Sequence, residues 1–214
     1  MEQTLLQSFD RTLFFLINRT GQNILFDVVM PVISNVKVFY IPIGIAWLLL
    51  ILKGGLKARI AAIAIVLLIG CSEFVSSNII KPVVNRPRPY HQLSEVHLYN
   101  RMSRTWRITP EMSAPIVGKS QSMPSSHATN IFAAAFFLSY FFRRYWPFFY
   151  LIAFLVGYSR VYLGVHFPLD VAVGALVGTG CAYVFAQLSA GAVRFIEGRH
   201  GVPGVASKSS ISKS

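Results

Sequence analysis

The feature that most constrains the fold of this chain is the stretch 171–193, which lies between Asp170 and Arg194 and contains no charged side chain. A helix of about 20 apolar residues is long enough to cross the roughly 30 Å hydrocarbon core of a bilayer. The chain is 54% hydrophobic and 13% charged, whereas ordinary soluble domains are about 25% charged. We therefore interpret this stretch as a transmembrane helix, and the 214 residues as a membrane protein with a single domain.

Charged residues divide the preceding sequence into four further apolar stretches, which we also interpret as transmembrane helices: 38–52, 60–80, 128–142 and 145–159. Residues 5–34 are interrupted too often by polar and charged side chains to form a simple lipid-facing helix. For this N-terminal segment, within residues 1–35, we expect amphipathic helices in the membrane interface, with a sixth span as the alternative. The predicted fold is an all-α polytopic bundle of five to six transmembrane helices over residues 1–197, followed by a disordered cytoplasmic tail, 198–214.

Basic residues indicate how this bundle is oriented. The loops 53–59 and 143–144 and the segment after Arg194 fall on one face, which the positive-inside rule makes cytoplasmic. The segments 81–127 and 160–170 then lie on the extracytoplasmic face. The formal charge of +12 would suggest nucleic acid in a soluble protein, but here it suggests loops facing anionic lipid, so we expect no nucleic-acid partner. The outer segment 81–127 also carries seven Lys and Arg residues, which a binding site for an anion explains.

Two clusters of polar residues in the outer segment have the chemistry of such a site. In the first, KPVVNRPRP, the prolines are expected to stop the helix and hold the segment extended, which fixes the cations Lys81 and Arg88 in place. In the second, PSSH, Ser125 and Ser126 precede His127 at the predicted start of a helix. A serine N-cap leaves backbone N–H groups and the positive end of the helix dipole pointing outward, and phosphate binds such helix starts.

A third cluster, SRVYLGVHFPLD, precedes the last predicted helix. It contains Arg160 and places His166 four residues before Asp170, a spacing that puts both side chains on one face of a helical turn. Each cluster alone has a simpler interpretation, as interface anchors, a helix start or a surface ion pair. Together they bring cations, a phosphate-ready helix start and two histidines to one membrane face, which favours a functional site.

The order and spacing of these clusters resemble the three-part signature of the type-2 phosphatidic acid phosphatase superfamily. The matching residues are Lys81-x6-Arg88-Pro89, Pro124-Ser125-Ser126-His127 and Ser159-Arg160-x5-His166-x3-Asp170. The chain departs from that signature at Ser126, because the family usually has glycine before the histidine of the second motif.

The resemblance implies a chemical role for each residue of the signature. Phosphate-binding groups would be Lys81, Arg88 and Arg160, with Ser125 and Ser126 completing the cradle. His166 would be the nucleophile that forms a phosphohistidine, and Asp170 would hold its tautomer. His127 would protonate the leaving group and then activate water. We expect neither a cofactor nor a metal ion, and the two cysteines lie in apolar stretches and predict no metal site.

Three further features carry weaker signals. Glu73 lies in a predicted transmembrane helix and is either a functional carboxylate or a hydrogen-bonded packing residue. Gly174 and Gly178 form a small-xxx-small pair, which favours close packing within the chain over dimerisation. The loop between the first two motifs is either a solvated loop or a clamp for a substrate headgroup. Its candidate residues are His91, His97, Arg101, Arg104, Trp106 and Arg107.

A site at the membrane surface predicts a substrate whose phosphate lies at headgroup level, so we expect a membrane lipid. The sequence predicts a metal-independent lipid phosphatase or diphosphatase of the bacterial inner membrane, with the active site facing the periplasm or exterior. Undecaprenyl diphosphate is the first choice of substrate. Phosphatidylglycerophosphate, phosphatidic acid and lipid A remain alternatives, as do a lipid phosphotransferase and a non-catalytic anionic-lipid binder or transporter. The oligomeric state stays open.

Overall fold

The computed structural model describes residues 4–110 and 120–200 and is mostly helical in these ranges. The helices described there are α1 (Leu5–Phe15), α2 (Ile24–Ile33), α3 (Tyr40–Lys53), α4 (Leu56–Phe74), α5 (Lys81–Val84), α6 (Ser126–Phe141), α7 (Trp146–Tyr162) and α8 (Pro168–His200). Two π-helical turns, Leu16–Thr20 and Val75–Ile80, follow α1 and α4. Short 3-10 turns lie at Val36–Phe39, Pro89–His91 and Arg143–Tyr145.

Three of the described helical segments are long and apolar enough to cross a membrane: Val36–Lys53, Leu56–Val84 and Pro168–Gly198. They contain the predicted spans 38–52, 60–80 and 171–193. Helices α6 and α7 cover most of the other two predicted spans, but at 16 and 17 residues they are shorter than each of the three segments above. The total of five to six spans therefore stays a prediction.

The expectation of an all-α fold is wrong for one part of the outer loop, where two short strands form a hairpin. Strands β1 (His97–Asn100) and β2 (Thr105–Ile108) pair antiparallel, with His97 opposite Ile108 and Asn100 opposite Thr105. Strands of four residues are too short to show a clear period-two pattern in the sequence. Burial of Leu98 and Val96 in a small apolar core beneath the hairpin stabilises it.

Helix α6 lies at the centre of the bundle and packs against α4, α7 and α8. Its contact with α8 is close because α8 has glycine where the two backbones meet. A Cβ atom at Gly174 would lie 2.7 Å from the carbonyl oxygen of Ser125, and one at Gly178 would lie 2.0 Å from that of Thr129. The prediction that this glycine pair permits packing within the chain is confirmed.

The first motif is helical at its start and extended further along, although the helix ends at Val84, before the two prolines that follow Arg86 and were expected to stop it. Lys81 begins α5, and the helix ends when Asn85 adopts the left-handed conformation with φ 45°. The Asn85 N–H donates to the carbonyl of Lys81 at 2.9 Å, which caps the last turn. Only the segment that follows is extended, as at Arg88, so Lys81 lies on the end of a helix while Arg88 lies in a loop.

The N-terminal segment packs against the helices that carry the third motif, because α1 contacts α8 and α2 contacts α7. The polar residues that interrupt its hydropathy include fully buried ones, Asp10 and Asn18. Asn18 donates to the carbonyls of His97 and Tyr162, both at 2.8 Å, and accepts from the His97 N–H at 2.9 Å. Its location in the membrane interface stays a prediction. Of the expected tail 198–214, the structure describes only the first three residues, as part of α8.

Candidate active site

Polar contacts join the three motifs into one site. The Lys81 ammonium lies 2.6 Å from the hydroxyl of Ser126, which links the first motif to the second. The Ser125 N–H donates to the carbonyl of Asp170 at 2.9 Å, which links the second motif to the third. Each of these two contacts joins residues 45 positions apart in the sequence, as the topology of the predicted bundle required.

His166 lies in the loop between α7 and α8 and is 2% exposed. Its Nδ1 atom is 2.8 Å from the carbonyl oxygen of Ser122. Because a carbonyl only accepts, Nδ1 carries the hydrogen and donates it, and Nε2 of the neutral ring keeps its lone pair. The sequence assigned this tautomer-holding role to Asp170, whose Oδ2 lies 3.6 Å from Nδ1. The direct hydrogen bond is made instead by a backbone group that no motif marks.

The surroundings of His166 keep its ring neutral. Burial lowers the pKa of the imidazole well below its ordinary value of 6.5, and the positive charges of Arg160, Arg88 and Lys81 lower it further. The hydrogen bond to Ser122 acts in the opposite direction. A neutral imidazole at physiological pH is the form of histidine that acts as a nucleophile.

Arg88 and Arg160, the two arginines of the signature, each donate a hydrogen bond from Nη1, while their Nε atoms donate none to the described part of the chain. Arg160 is buried and donates from Nη1 to the hydroxyl of Ser34, while Arg88 donates from Nη1 to the carbonyl of Val165 at 3.4 Å. The Nε atoms of both arginines are buried and have no hydrogen-bond partner among the described residues. Buried N–H donors of a cation are normally satisfied, so two such donors beside His166 indicate where an anionic ligand binds.

Helix α6 begins at this site. Ser125 is fully buried, and its hydroxyl oxygen caps the helix by accepting from the Ala128 N–H at 3.4 Å. His127 follows in the first turn, half-buried and within electrostatic range of Arg160 and His166. The second motif therefore delivers a helix N-terminus and a second imidazole to the place where the unpartnered guanidinium nitrogens lie.

Asp170 is held by a residue to which the sequence analysis gave no role. Its Oδ1 accepts from Arg86 Nη1 at 2.8 Å, and its Oδ2 accepts from the Phe167 N–H at 2.8 Å. The second guanidinium nitrogen of Arg86, Nη2, donates to Asp10 at 2.5 Å. Both carboxylates are fully buried, so Arg86 bridges two charges that would otherwise be desolvated without a partner.

Arg86 and Asp10 also contact the residues that follow His166. The guanidinium of Arg86 lies 4.1 Å from the centre of the Phe167 ring, in a cation–π contact. Asp10 accepts from the Leu169 N–H at 2.9 Å through its other oxygen. The sequence analysis gave Asp10 no role. A charged residue inside an apolar N-terminal helix is costly unless it is paired, and that signal could have identified Asp10.

A family model described as the PAP2 superfamily matches residues 58–194, a stretch that includes all three motifs. The chain belongs to the PAP2 superfamily. This confirms the family that the motif spacing resembles. Together with the apolar helices, it makes the protein an integral membrane protein.

The chain is similar to other proteins along much of its length. It is 29% identical to the lipid A 4′-phosphatase of Bacteroides thetaiotaomicron over 70% of this chain, a match that spans 64% of that protein and so less than two thirds of it. It is 31% identical to the undecaprenyl-diphosphatase of Sulfolobus acidocaldarius over 88% of this chain and 83% of that protein. Among solved structures, Aquifex aeolicus LpxE shares 30% identity, with a TM-score of 0.60 over 84% of this chain and 95% of LpxE.

In this PAP2 chain the clamp candidates of the outer loop make different kinds of contact. His97 stacks on Trp106 with ring centres 4.1 Å apart and binds Asp27 at 3.1 Å, so these two candidate clamp residues are used in packing the hairpin. Arg101 instead donates to the carbonyl of Ser34 at 3.0 Å, and the hydroxyl of Ser34 accepts from Arg160. Of the clamp candidates, Arg101 is thus the one that shares a partner, Ser34, with Arg160.

His91 is a second clamp candidate that lies near the cations. Its ring packs against Tyr90 with centres 4.3 Å apart, and its Nδ1 is buried without a hydrogen-bond partner among the described residues. Burial and the charge of Arg88 lower the pKa of His91. Within residues 4–110 and 120–200, the structure has no group of three or more His, Cys, Asp or Glu side chains arranged to hold a metal ion.

Proposed function

We propose that this protein is a membrane lipid phosphatase that cleaves a phosphate or diphosphate group from a lipid through a phosphohistidine at His166. The observation that carries the proposal is the pair of buried, unpartnered Nε donors of Arg88 and Arg160 beside a neutral imidazole. Oxygens of a phosphoryl group accept from guanidinium nitrogens in charge-assisted hydrogen bonds. Lys81, at the end of α5, adds a third cation to the same site.

In the first chemical step, Nε2 of His166 attacks the terminal phosphorus of the substrate. The bond that breaks joins this phosphorus to the oxygen that links it to the rest of the molecule, which is the lipid alcohol in a monoester and the lipid monophosphate in a diphosphate. The electron pair of that bond goes to the leaving oxygen, which takes a proton from the imidazolium form of His127. Burial and the nearby cations lower the pKa of His127 in the free site, and the negative charge of the bound phosphoryl group acts in the opposite direction. The cations Lys81, Arg88 and Arg160 stabilise the charge that develops on the equatorial oxygens. The Ser122 carbonyl holds the ring by accepting from Nδ1 throughout.

In the second step, water attacks the phosphorus of the phosphohistidine and the P–N bond breaks. His127 takes the proton from that water, and the electron pair returns to Nε2 of His166. While the ring carries the phosphoryl group it is positively charged, and Asp170, 3.6 Å from Nδ1, stabilises that charge. Free phosphate is released and both imidazoles are restored to their starting states.

The substrate class follows from where the site lies. Because the catalytic residues lie at the ends of apolar helices, the phosphate of the substrate binds at headgroup level while its tail remains in lipid. In this proposal α6 and α7 complete a bundle of five spans in the inner membrane of a bacterium. The basic loops on the opposite end face the cytoplasm, and the site faces the periplasm or exterior.

Undecaprenyl diphosphate is the proposed substrate. The support is the similarity to an undecaprenyl-diphosphatase along most of both chains. The similarity to a lipid A 4′-phosphatase makes lipid A the main competitor. Phosphatidylglycerophosphate and phosphatidic acid complete the set of lipids that the motifs accommodate.

The test is phosphate release by the purified full-length chain in mixed micelles that present each of these four lipids in turn. We expect the highest kcat/KM with undecaprenyl diphosphate and no release by the His166→Ala variant with any lipid. A higher kcat/KM with another lipid would reassign the substrate. Phosphate transferred to an added acceptor alcohol, with none released to water, would identify a phosphotransferase, and binding without turnover would identify a lipid binder.

A further inference from the structure

A line of polar side chains leads from the phosphate-binding site into the apolar part of the bundle. It begins at the Lys81 ammonium, which lies 2.6 Å from the Ser126 hydroxyl. The Ser126 hydroxyl lies 3.0 Å from that of Ser77, and the Ser77 hydroxyl donates to Glu73 at 2.6 Å. These residues lie on α6 and on the continuous helical segment Leu56–Val84, where the π-helical turn widens the helix between Glu73 and Lys81.

The carboxylate end of this line is fixed by a second helix. Oε2 of Glu73 accepts from the side-chain amide of Asn130 at 2.7 Å. The amide oxygen of Asn130 in turn accepts from the Ser72 hydroxyl at 2.7 Å, which sets the orientation of the amide. Both oxygens of Glu73 therefore accept hydrogen bonds, which is the pattern of an ionised carboxylate.

The charges at the two ends set the direction of every hydrogen bond between them. An ammonium only donates, so Ser126 accepts from Lys81; an ionised carboxylate only accepts, so Ser77 gives its single hydrogen to Glu73. Ser126 then donates its hydrogen to the nearer of two hydroxyls, that of Ser77 at 3.0 Å, while the hydroxyl of Ser76 lies at 3.3 Å. Each hydroxyl both donates and accepts in the same sense, an arrangement that strengthens hydrogen bonds in a low-dielectric interior.

We propose that Glu73 is a positioning residue that holds the ammonium of Lys81 in the phosphate-binding site through Ser77 and Ser126. The proposal rests on the proposed function, in which Lys81 binds the phosphoryl group. A lysine side chain has four rotatable carbon–carbon bonds and binds phosphate as a point charge, so an ammonium that is not fixed loses part of its effect. Glu73 provides the fixed partner without occupying the site.

The same geometry assigns a role to the residue that departs from the family signature. In this proposal the Ser126 hydroxyl accepts from Lys81 and donates to Ser77, and it thereby links Lys81 to Glu73. Glycine at this position would leave the line broken. That Ser126 also completes the phosphate cradle stays a prediction.

The test combines single and double variants at two links of the line. Glu73→Gln removes the charge while keeping nearly the same shape, and Ser126→Gly breaks the line beside Lys81. We expect Glu73→Gln to weaken binding of inorganic phosphate, measured by calorimetry, about fivefold and to lower kcat/KM by about the same factor. In the Ser126→Gly background the same change should have an effect of less than about twofold, because Glu73 is no longer connected to Lys81.

Controls separate positioning from folding and from general charge effects. Ser77→Ala, which breaks the line at another link, should match Glu73→Gln, whereas Glu197→Gln, on the exposed side of α8, should match the wild type. The melting temperature and the size-exclusion profile of each variant are measured, and only variants that match the wild type in both are compared. Equal losses from Glu73→Gln in both backgrounds, unchanged phosphate binding, or tighter binding from removal of a negative charge would each overturn the proposal. Absence of turnover in the wild type would overturn the proposed function, and the phosphate-binding comparison would still decide the role of Glu73.

Discussion

Arg86 donates a 2.8 Å hydrogen bond to Asp170, and this contact ties the loop of the first motif to the helix that follows His166. The other guanidinium nitrogen binds Asp10, so a residue of the N-terminal helix completes the group. Since Phe167 and Leu169 are held by the same two carboxylates, the loop that carries His166 is fixed from both sides. The N-terminal segment is therefore part of the scaffold of the site.

Replacing Arg86 should damage both stability and turnover. Arg86→Gln leaves the carboxylates of Asp10 and Asp170 buried without a cation, which we expect to cost about 3 kcal/mol or more of folding free energy. The measurement is thermal unfolding in detergent together with kcat, which should fall at least tenfold as the His166 loop loses its support. Arg11→Gln, one residue along from Asp10, is the control for loss of a cation. An Arg86→Gln protein with wild-type melting temperature would contradict this account of the ion pairs.

His166→Ala should abolish turnover, because it removes the proposed nucleophile, the imidazole whose Nδ1 is held by the Ser122 carbonyl and whose Nε2 keeps its lone pair. When the reaction with a substrate that carries radioactive phosphorus is quenched rapidly, labelled phosphoenzyme should be trapped in the wild type and none in the variant. Asp170→Asn should keep a small remainder of activity, since the Ser122 carbonyl still holds the ring. Labelled protein from the His166→Ala chain would place the nucleophile elsewhere.

The lowered pKa of His166 predicts how activity depends on pH. The neutral ring attacks phosphorus and the protonated ring cannot, so kcat/KM falls as pH falls through the pKa of His166 in the free enzyme. Because that pKa is well below 6.5, the acid limb should lie below pH 6.5. The folded state also binds fewer protons there than the unfolded state, so the contribution of neutral His166 to stability is present above pH 6.5 and lost below it.

A charge-removing variant tests the cause of that pKa shift. Arg88 is one of the cations that lower the pKa of His166, so Arg88→Gln should move the acid limb to higher pH with the same substrate. Arg107→Gln removes an exposed charge of the hairpin and should leave the limb in place. If the acid limb of the kcat/KM profile of Arg88→Gln stayed at the wild-type pH, the limb would reflect the titration of a group other than His166.

Removing the buried amide of Asn18 should loosen the hairpin from the helices. Asn18→Ala leaves the N–H and carbonyl of His97 and the carbonyl of Tyr162 without their partner, at a cost of about 3 kcal/mol in total. The check is the melting temperature in detergent, with the exposed Asn78→Ala as the matched control. Equal melting temperatures for the two variants would contradict the structural role of Asn18.

Chelation should leave the reaction intact, since Lys81, Arg88 and Arg160 supply the positive charge that a metal ion supplies in other phosphatases. We expect full phosphate release after incubation with excess EDTA and dialysis. Loss of activity that only Mg²⁺ restores would show that a divalent ion is part of the mechanism.

Much of the fold and of the site is predictable from the sequence because the relevant signals are local. The long apolar stretches mark helices whose bounds agree with the structure to within a few residues, apart from α8, which is described as far as His200. The motif residues are recognisable from type and spacing, and the family model confirms the family they indicate. The hairpin was missed because two strands of four residues, rich in polar and aromatic side chains, leave no periodic signal.

By itself the sequence determined that this is a membrane-embedded helical protein with the three motifs of the PAP2 superfamily, since hydropathy and motif spacing are properties of neighbouring residues. Only the tertiary structure decided which groups hold those motifs in place. Asp10 precedes Arg86 by 76 positions and Asp170 follows it by 84, and the Ser122 carbonyl that fixes His166 is 44 positions from it. Contacts of this kind depend on how whole helices pack, because a shift of one side chain by an ångström or two breaks a hydrogen bond.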